Sequence, residues 1–442
     1  MSPAIPTRDD VQGWVLSGYN YPFSRHHVVA VHDRMAVRSL LRDAVTGTGG
    51  VTQIQSALPW GERPPLLANV GFTHSGLAAL GVGRADLDRF PTDFRMGAAR
   101  RAIRVGDFGD NAPNHWDVGT RDSSRAHLLW SMHGLTIDDL DRGTAELAGL
   151  GSALDIVATY DGTALPDNVV HFGYVDGLAQ PRIAGFHEPA GDISPLGAFF
   201  LGHPSQFEGV IFDMPSPTEL VTNATFNAFR VLEQDVFAFE DFLDDAADQT
   251  GRNREWVAAK ICGRWRNGNS LVTHPDVAGE PDDPTVVDTF GFGDDPRGEV
   301  CPFASHIRRV NPRDGEMVTR SANNSRRVIR RGMPYGPLIE PGQPRDDVAR
   351  GLIGNFFCAS LTAQFEGLQH DWINQGLHHP NIVGTNDPIS GFNGTGDGVF
   401  TIPMADEPDI ILRGFDTFTR TRASVYTIMP TLSALRWLVR SA

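Results

Sequence analysis

Residues 226–249 read FNAFRVLEQDVFAFEDFLDDAADQ. FNAFRVL is apolar and aromatic over a strand's length. The EQDVFAFEDFLDDAADQ that follows has the spacing of an acidic amphipathic helix. The same strand-then-helix alternation recurs outward in both directions. At 26–45, HHVVAVHD is a strand candidate. RMAVRSLLRDAV follows it with Val37, Leu40, Leu41, Ala44 and Val45 on one helix face. At 69–82, NVGFTHSGLAALGV gives a short apolar run and then a helix ending at a glycine. Near the other end, ASVYTIMP is a strand stopped by Pro430, and LSALRWLV a helix with Leu432, Leu435, Leu438 and Val439 on one side. The alternation is too irregular for a doubly wound parallel sheet. It predicts an α+β fold made of two similar α/β sandwiches. Segments 274–299 and 376–398 read as long loops, which in a compact domain are often functional.

The chain has 442 residues and a net charge of −16. Such a surface repels nucleic acid and anionic membranes. The start, MSPAIPTRDDVQGWVL, lacks a basic region followed by an apolar run. No stretch approaches the roughly 20 apolar residues of a membrane helix. A cytoplasmic location is expected. The three cysteines, Cys262, Cys301 and Cys358, read as free buried thiols.

Three stretches carry candidate chemistry. In GEVCPFASHIRRVNPR, 298–313, His306 stands ahead of Arg308, Arg309 and Arg313. Taken alone, a solvated basic patch, a zinc site and a haem ligand are all open. In HFGYVDGLAQPRIAG, 171–185, Asp176 lies between glycines, which alone is a turn. In SRRVIRRGMPYGPLI, 325–339, four arginines alone read as a solvated face, although an apolar run follows them. GFGDDPRG, 291–298, has Pro296 where a dinucleotide fingerprint needs glycine. Neither a nucleophile elbow nor a His-Glu-x-x-His is present.

In this order, Gly-x-x-Asp-Gly, a histidine followed by arginines, and Arg-Arg-Gly-Met-Pro-Tyr-Gly resemble the dye-decolorising peroxidase family. VQGWVLSGY, FRVLEQDVFAFEDFL and AAKICGRWRNGNSLV extend the resemblance over nearly the whole chain. CASLTAQFEGLQHDWIN, with its Pro-Asn and Asp-Pro loop, is similar to the longer bacterial members.

The resemblance implies two ferredoxin-like halves with antiparallel sheets, of the dimeric α+β barrel type. They would span 1–165 and 166–442, with one haem b per chain held mainly by the second. It puts His306 on the iron and Asp176 as the distal acid–base group. Arg330 falls on the distal arginine that stabilises the splitting O–O bond; its offset from Met333-Pro334 favours it over Arg331. Arg313 is expected at a propionate, Phe365 (with Phe356) as a pocket wall, and Glu366 as the acceptor for the other N–H of His306. The implied partners are hydrogen peroxide and one-electron aromatic donors, with a homo-oligomer left open. An aspartate, with an ordinary pKa of about 3.9, stays a base where a histidine of about 6.5 is protonated. That predicts an acidic optimum. Bulky dyes would be oxidised through surface Trp or Tyr. A haem-handling protein with incidental activity, or a zinc enzyme built on His306, are the competing readings.

Overall fold

The computed structural model describes residues 3–188, 192–317, 324–340 and 342–440. Eight strands form one antiparallel sheet. They are β1 (Phe23–Val31), β2 (Leu66–Phe72), β3 (Leu128–Gly134), β4 (Leu154–Thr163), β5 (Thr225–Gln234), β6 (Ile329–Tyr335), β7 (Gly351–Cys358) and β8 (Thr419–Met429). Their spatial order is β4-β1-β3-β2-β8-β5-β7-β6. Each set of four therefore has the same order, fourth-first-third-second, which is the ferredoxin-like arrangement. The first four strands fall within 1–165 and the last four beyond it, and we propose these two segments as the structural halves. β8 is the seam: it has a long ladder with β5 and meets β2 at Ile428 and Phe72. β4 packs against β6, so the sheet curls towards a barrel. A Cβ on Gly162 of β4 would press on the Met333 side chain of β6.

Alternation along each strand sends one set of side chains into the lumen and the other outward. The lumen holds Val28, Leu129, Phe229, Val231, Ile353 and Val425. It also holds polar groups. His26 Nδ1 lies 2.9 Å from Ser131 Oγ, and Asn227 Nδ2 donates to Asn355 Oδ1 at 2.8 Å. The Trp14 ring stacks on His26 and meets His133 and Phe357 edge-on. Burial pushes the His133 ring down to about 3 and the His26 ring well below its ordinary value.

Helices cover the outer face. In the first half these are α1 (Arg34–Thr46) and α2 (Ile137–Ala148). α1 starts at Asp33, whose carboxylate accepts from the N–H groups of Met35 and Ala36, and stops at Gly47 in the left-handed conformation. α2 starts with a Thr136–Asp139 capping box. In the second half, α3 (Val236–Thr250) and α4 (Arg254–Cys262) follow β5, and a π-type helix over 361–373 follows β7. α5 (His306–Val310) stands in the long connection between α4 and β6. α6 (Leu432–Arg440) returns to pack on α1. The end of the predicted loop 376–398 is already strand: Thr395–Ile402 pairs with Ile410–Asp416 as a separate hairpin. Among the described residues no helix is long and apolar enough to cross a membrane.

Candidate active site

His306 is the first residue of α5. Its Nδ1 lies 3.0 and 3.1 Å from the two carboxylate oxygens of Asp387. Asp387 is fully buried, while a quarter of the His306 side chain is exposed. Among the described residues no protein group hydrogen-bonds Nε2. Burial works to raise the Asp387 carboxyl pKa. The His306 ring, the charge of Arg309 and the Ser390 N–H outweigh burial and hold it below the ordinary range. The N–H groups of Ile389 and Ser390 fix the carboxylate in its turn.

This corrects the expected partner of His306. Glu366 lies in the π-type helix and is engaged elsewhere: Arg101 grips both its oxygens and Tyr426 donates to it at 3.3 Å. The acceptor is Asp387, 81 positions from His306. That separation carries no periodic signal. The only trace in the sequence is the Asp-Pro loop.

The three arginines after His306 divide. Arg308 pairs with buried Asp295 at 2.7 Å and lies over Phe303 and Phe292. Arg309 is wholly buried and donates to the carbonyls of Trp372 and Thr385. Both support α5 from within. Arg313, expected at a propionate, is already bound by a protein carboxylate: it pairs with Asp288 and stacks 3.9 Å from the Phe290 centroid. Arg264 binds the same Asp288 at 2.7 Å. Two guanidiniums thus share one carboxylate, and a net positive charge remains. Burial first, then repulsion from Arg313 and Arg330, pulls the Arg264 pKa down. The three cations therefore share one neighbourhood.

Asp176 sits in a turn between Gly173 and Gly177, both at positive φ (+83° and +78°). Glycine reaches that conformation without strain. The turn lies over β6. Gln180 exchanges hydrogen bonds with the Arg330 backbone, and Arg330 Nη2 donates to the Ala179 carbonyl at 2.8 Å. Arg330, Gly332 and Asp176 are exposed on this side. A Cβ on Gly332 would lie 4.0 Å from the Asp176 carboxylate.

Strand alternation separates the two neighbouring arginines. Arg330 faces the outer side with its β7 partner Phe356. Arg331 points inward, donates to the carbonyls of Trp14 and Val15, and has its pKa lowered to about 10 by burial. Phe356 is half-buried on the outer face. Phe365, expected as a pocket wall, is sealed in the core 5.4 Å behind it. Phe356 is the ring that reaches the site.

The residues fit a histidine that could donate its other nitrogen to an iron. Neutral histidine binds iron through one nitrogen, while a carboxylate holds the other and fixes the ring. Among the described residues no three His, Cys, Asp or Glu side chains cluster as metal ligands, so nothing there supports a zinc site.

No protein-family model matches the chain. It is 28% identical to Peroxidase 2 of Mycetinis scorodonius and to the Dye-decolorizing peroxidase of Mycena epipterygia, over 97% of this chain and 86% of each relative. Its fold matches a fungal DyP-type peroxidase from Auricularia auricula-judae with a TM-score of 0.84, covering 99% of this chain and all of that one at 23% identity. The α+β fold described above is shared with that solved structure. The chain is thus similar, over nearly its whole length, to proteins named dye-decolorizing peroxidases.

Proposed function

We propose that the chain is a haem-dependent peroxidase that reduces hydrogen peroxide and oxidises phenolic and other aromatic donors in one-electron steps. The observation that carries the reading is the pairing of an exposed Asp176–Arg330 face with a histidine whose second nitrogen is held by buried Asp387.

Haem b, one per chain, would be held by His306 Nε2 on one side and walled by Phe356. Arg264, Arg313 and Arg330 supply the positive charge that suits its acid groups. A bound haem would supply the redox-active iron at which peroxide reacts. Asp176 accepts the proton from the near oxygen of peroxide and returns it to the far oxygen, which leaves as water. Arg330, tethered to Ala179, stabilises negative charge on the separating oxygens. Asp387 orients the His306 ring and strengthens it as a donor. The three cysteines are free and buried, which supports a reducing compartment such as the cytoplasm.

The test is a rapid-mixing spectrum of the haem-loaded protein with peroxide. A Soret band that shifts within milliseconds is expected. Arg330→Leu or Asp176→Asn should slow that shift by about 10²–10³-fold. A Soret band that peroxide leaves unmoved would reject the reading.

A further inference from the structure

Away from the Asp176–Arg330 face, a buried charge pair joins the two segments of the chain. Asp107 comes from the first and Arg230, on β5, from the second, and both side chains are almost wholly buried. Arg230 Nη2 donates to Asp107 Oδ1 at 2.6 Å and also to the hydroxyl of Thr421 on β8. That hydroxyl donates to the same carboxylate oxygen at 2.8 Å. One nitrogen and one oxygen are thereby satisfied. Nε and Nη1 of Arg230 and Oδ2 of Asp107 are buried and have no hydrogen-bond partner among the described residues. Folded proteins rarely leave so many polar atoms of one pair unmatched.

The pair lines a cavity of about 20 Å³. One water needs about 10–15 Å³, so the space takes one small guest. Asp107 and Arg230 are the only charged side chains among the described residues that line it. The rest of its polar wall, which includes Asn111, Gln369, Asn374, Ser390 and Thr419, is uncharged. Tyr426 on β8 also feels both charges, but burial keeps it a neutral phenol. Glu366, beyond Tyr426, is already paired with Arg101.

The Asp107 carboxyl decides what the cavity accepts. When it is ionised the pair is neutral, and the free oxygen repels an anion. When it is protonated a net positive charge remains. The proton goes to Oδ2, since Oδ1 already accepts two hydrogen bonds. Every unmatched group of the pair is then a donor: the O–H of Asp107 and the remaining N–H groups of Arg230. Such a wall is satisfied by an acceptor, and at this size and charge the acceptor is a monatomic anion. Burial raises the Asp107 carboxyl pKa against the opposing pull of Arg230 and Thr421, so the proton arrives in weaker acid than for a free carboxyl.

The geometry points to a proton-linked halide site: in acid, Asp107 takes up a proton and one chloride or bromide ion enters the cavity beside Arg230. The ion is a ligand and undergoes no redox step. Proton and halide are taken up together, so the net charge is unchanged. Donors from both segments of the chain hold the ion, which ties the two together. The site does not depend on the peroxidase reading.

The probe is bromide, applied to the haem-loaded protein, with gluconate at equal ionic strength as reference. Crystals at about pH 4.5 should show one anomalous-scattering peak beside Arg230, and crystals at about pH 8 should show none there. In calorimetry bromide should bind at least about tenfold more tightly at the lower pH. Asp107→Asn, which offers an amide donor at either pH, should bind at both with less than about a twofold difference. Arg230→Met should abolish binding. No peak at the lower pH, equal binding at both pH values in the unaltered protein, or binding that survives Arg230→Met overturns the inference. So does an Asp107→Asn protein that still binds only in acid. If Arg230→Met fails to fold, Asp107→Asn decides, because binding gained at the higher pH cannot come from misfolding.

Discussion

The two halves share one strand order but treat their outer faces differently. In the first half, α2 lies on β1, β3 and β4, and every residue of β2 and β3 is buried. In the second, α3 packs on α4 and on the strand Ile410–Asp416, with its own aromatic core of Phe239, Phe242, Phe415 and Phe418. The sheet face on that side keeps Arg330 and Gly332 exposed and Leu352 and Phe356 half-buried. The same topology thus covers its outer face in one half and leaves part of it open in the other. The histidines follow the same division. His26 and His133 are enclosed in the lumen and kept neutral by burial, whereas His306 is held by a carboxylate and its other nitrogen has no hydrogen-bond partner among the described residues.

The comparison can be broken at three points. Leu140 of α2 is 2% exposed against the first-half sheet. Leu140→Ala should cost about 2–5 kcal/mol of unfolding free energy in urea. Leu352→Ala, on the outer face of the second half, should cost less than half as much in haem-free protein. Equal losses would mean that both faces are packed alike. At the site, Asp387→Asn removes the anionic acceptor of His306 and should weaken haem retention about 10- to 100-fold, read by Soret titration. Glu366→Gln should leave retention near that of the parent protein.

The last test concerns acid. Above pH 6.5 the lumen histidines are neutral in both folded and unfolded chains. Below it the unfolded chain binds protons that His26 and His133 refuse until far lower pH, about 3 for His133. Stability is therefore complete above 6.5 and falls as pH drops, by up to about 1.4 kcal/mol per pH unit for each ring. His133→Leu should remove one such contribution from the slope of unfolding free energy against pH. An unchanged slope would place the protonation elsewhere. The acidic optimum expected from Asp176 would thus be reached at some loss of stability.

Much of the frame was legible because strands and helices announce themselves by period: 226–249, 26–45, 69–82 and 423–439 all fold as their spacing predicts. The motif offset separates Arg330 from Arg331, and strand alternation puts the two on opposite faces. What was illegible was pairing across long distances. Asp387 reaches His306, and Asp288 reaches both Arg264 and Arg313, through irregular connections whose path no local pattern encodes. Glu366, expected as the acceptor for His306, instead meets Arg101 and Tyr426, 265 and 60 positions away.

The seam strand has a bearing on biosynthesis. β8 is translated after every other strand of the sheet, yet it sits between β2 and β5. Until it leaves the ribosome, both of those strands are bare edges, the kind that recruit foreign strands. His306 and the Asp176 turn emerge earlier, before β8 can join the two sets of strands. Those two edges close only when the last strand of the sheet arrives.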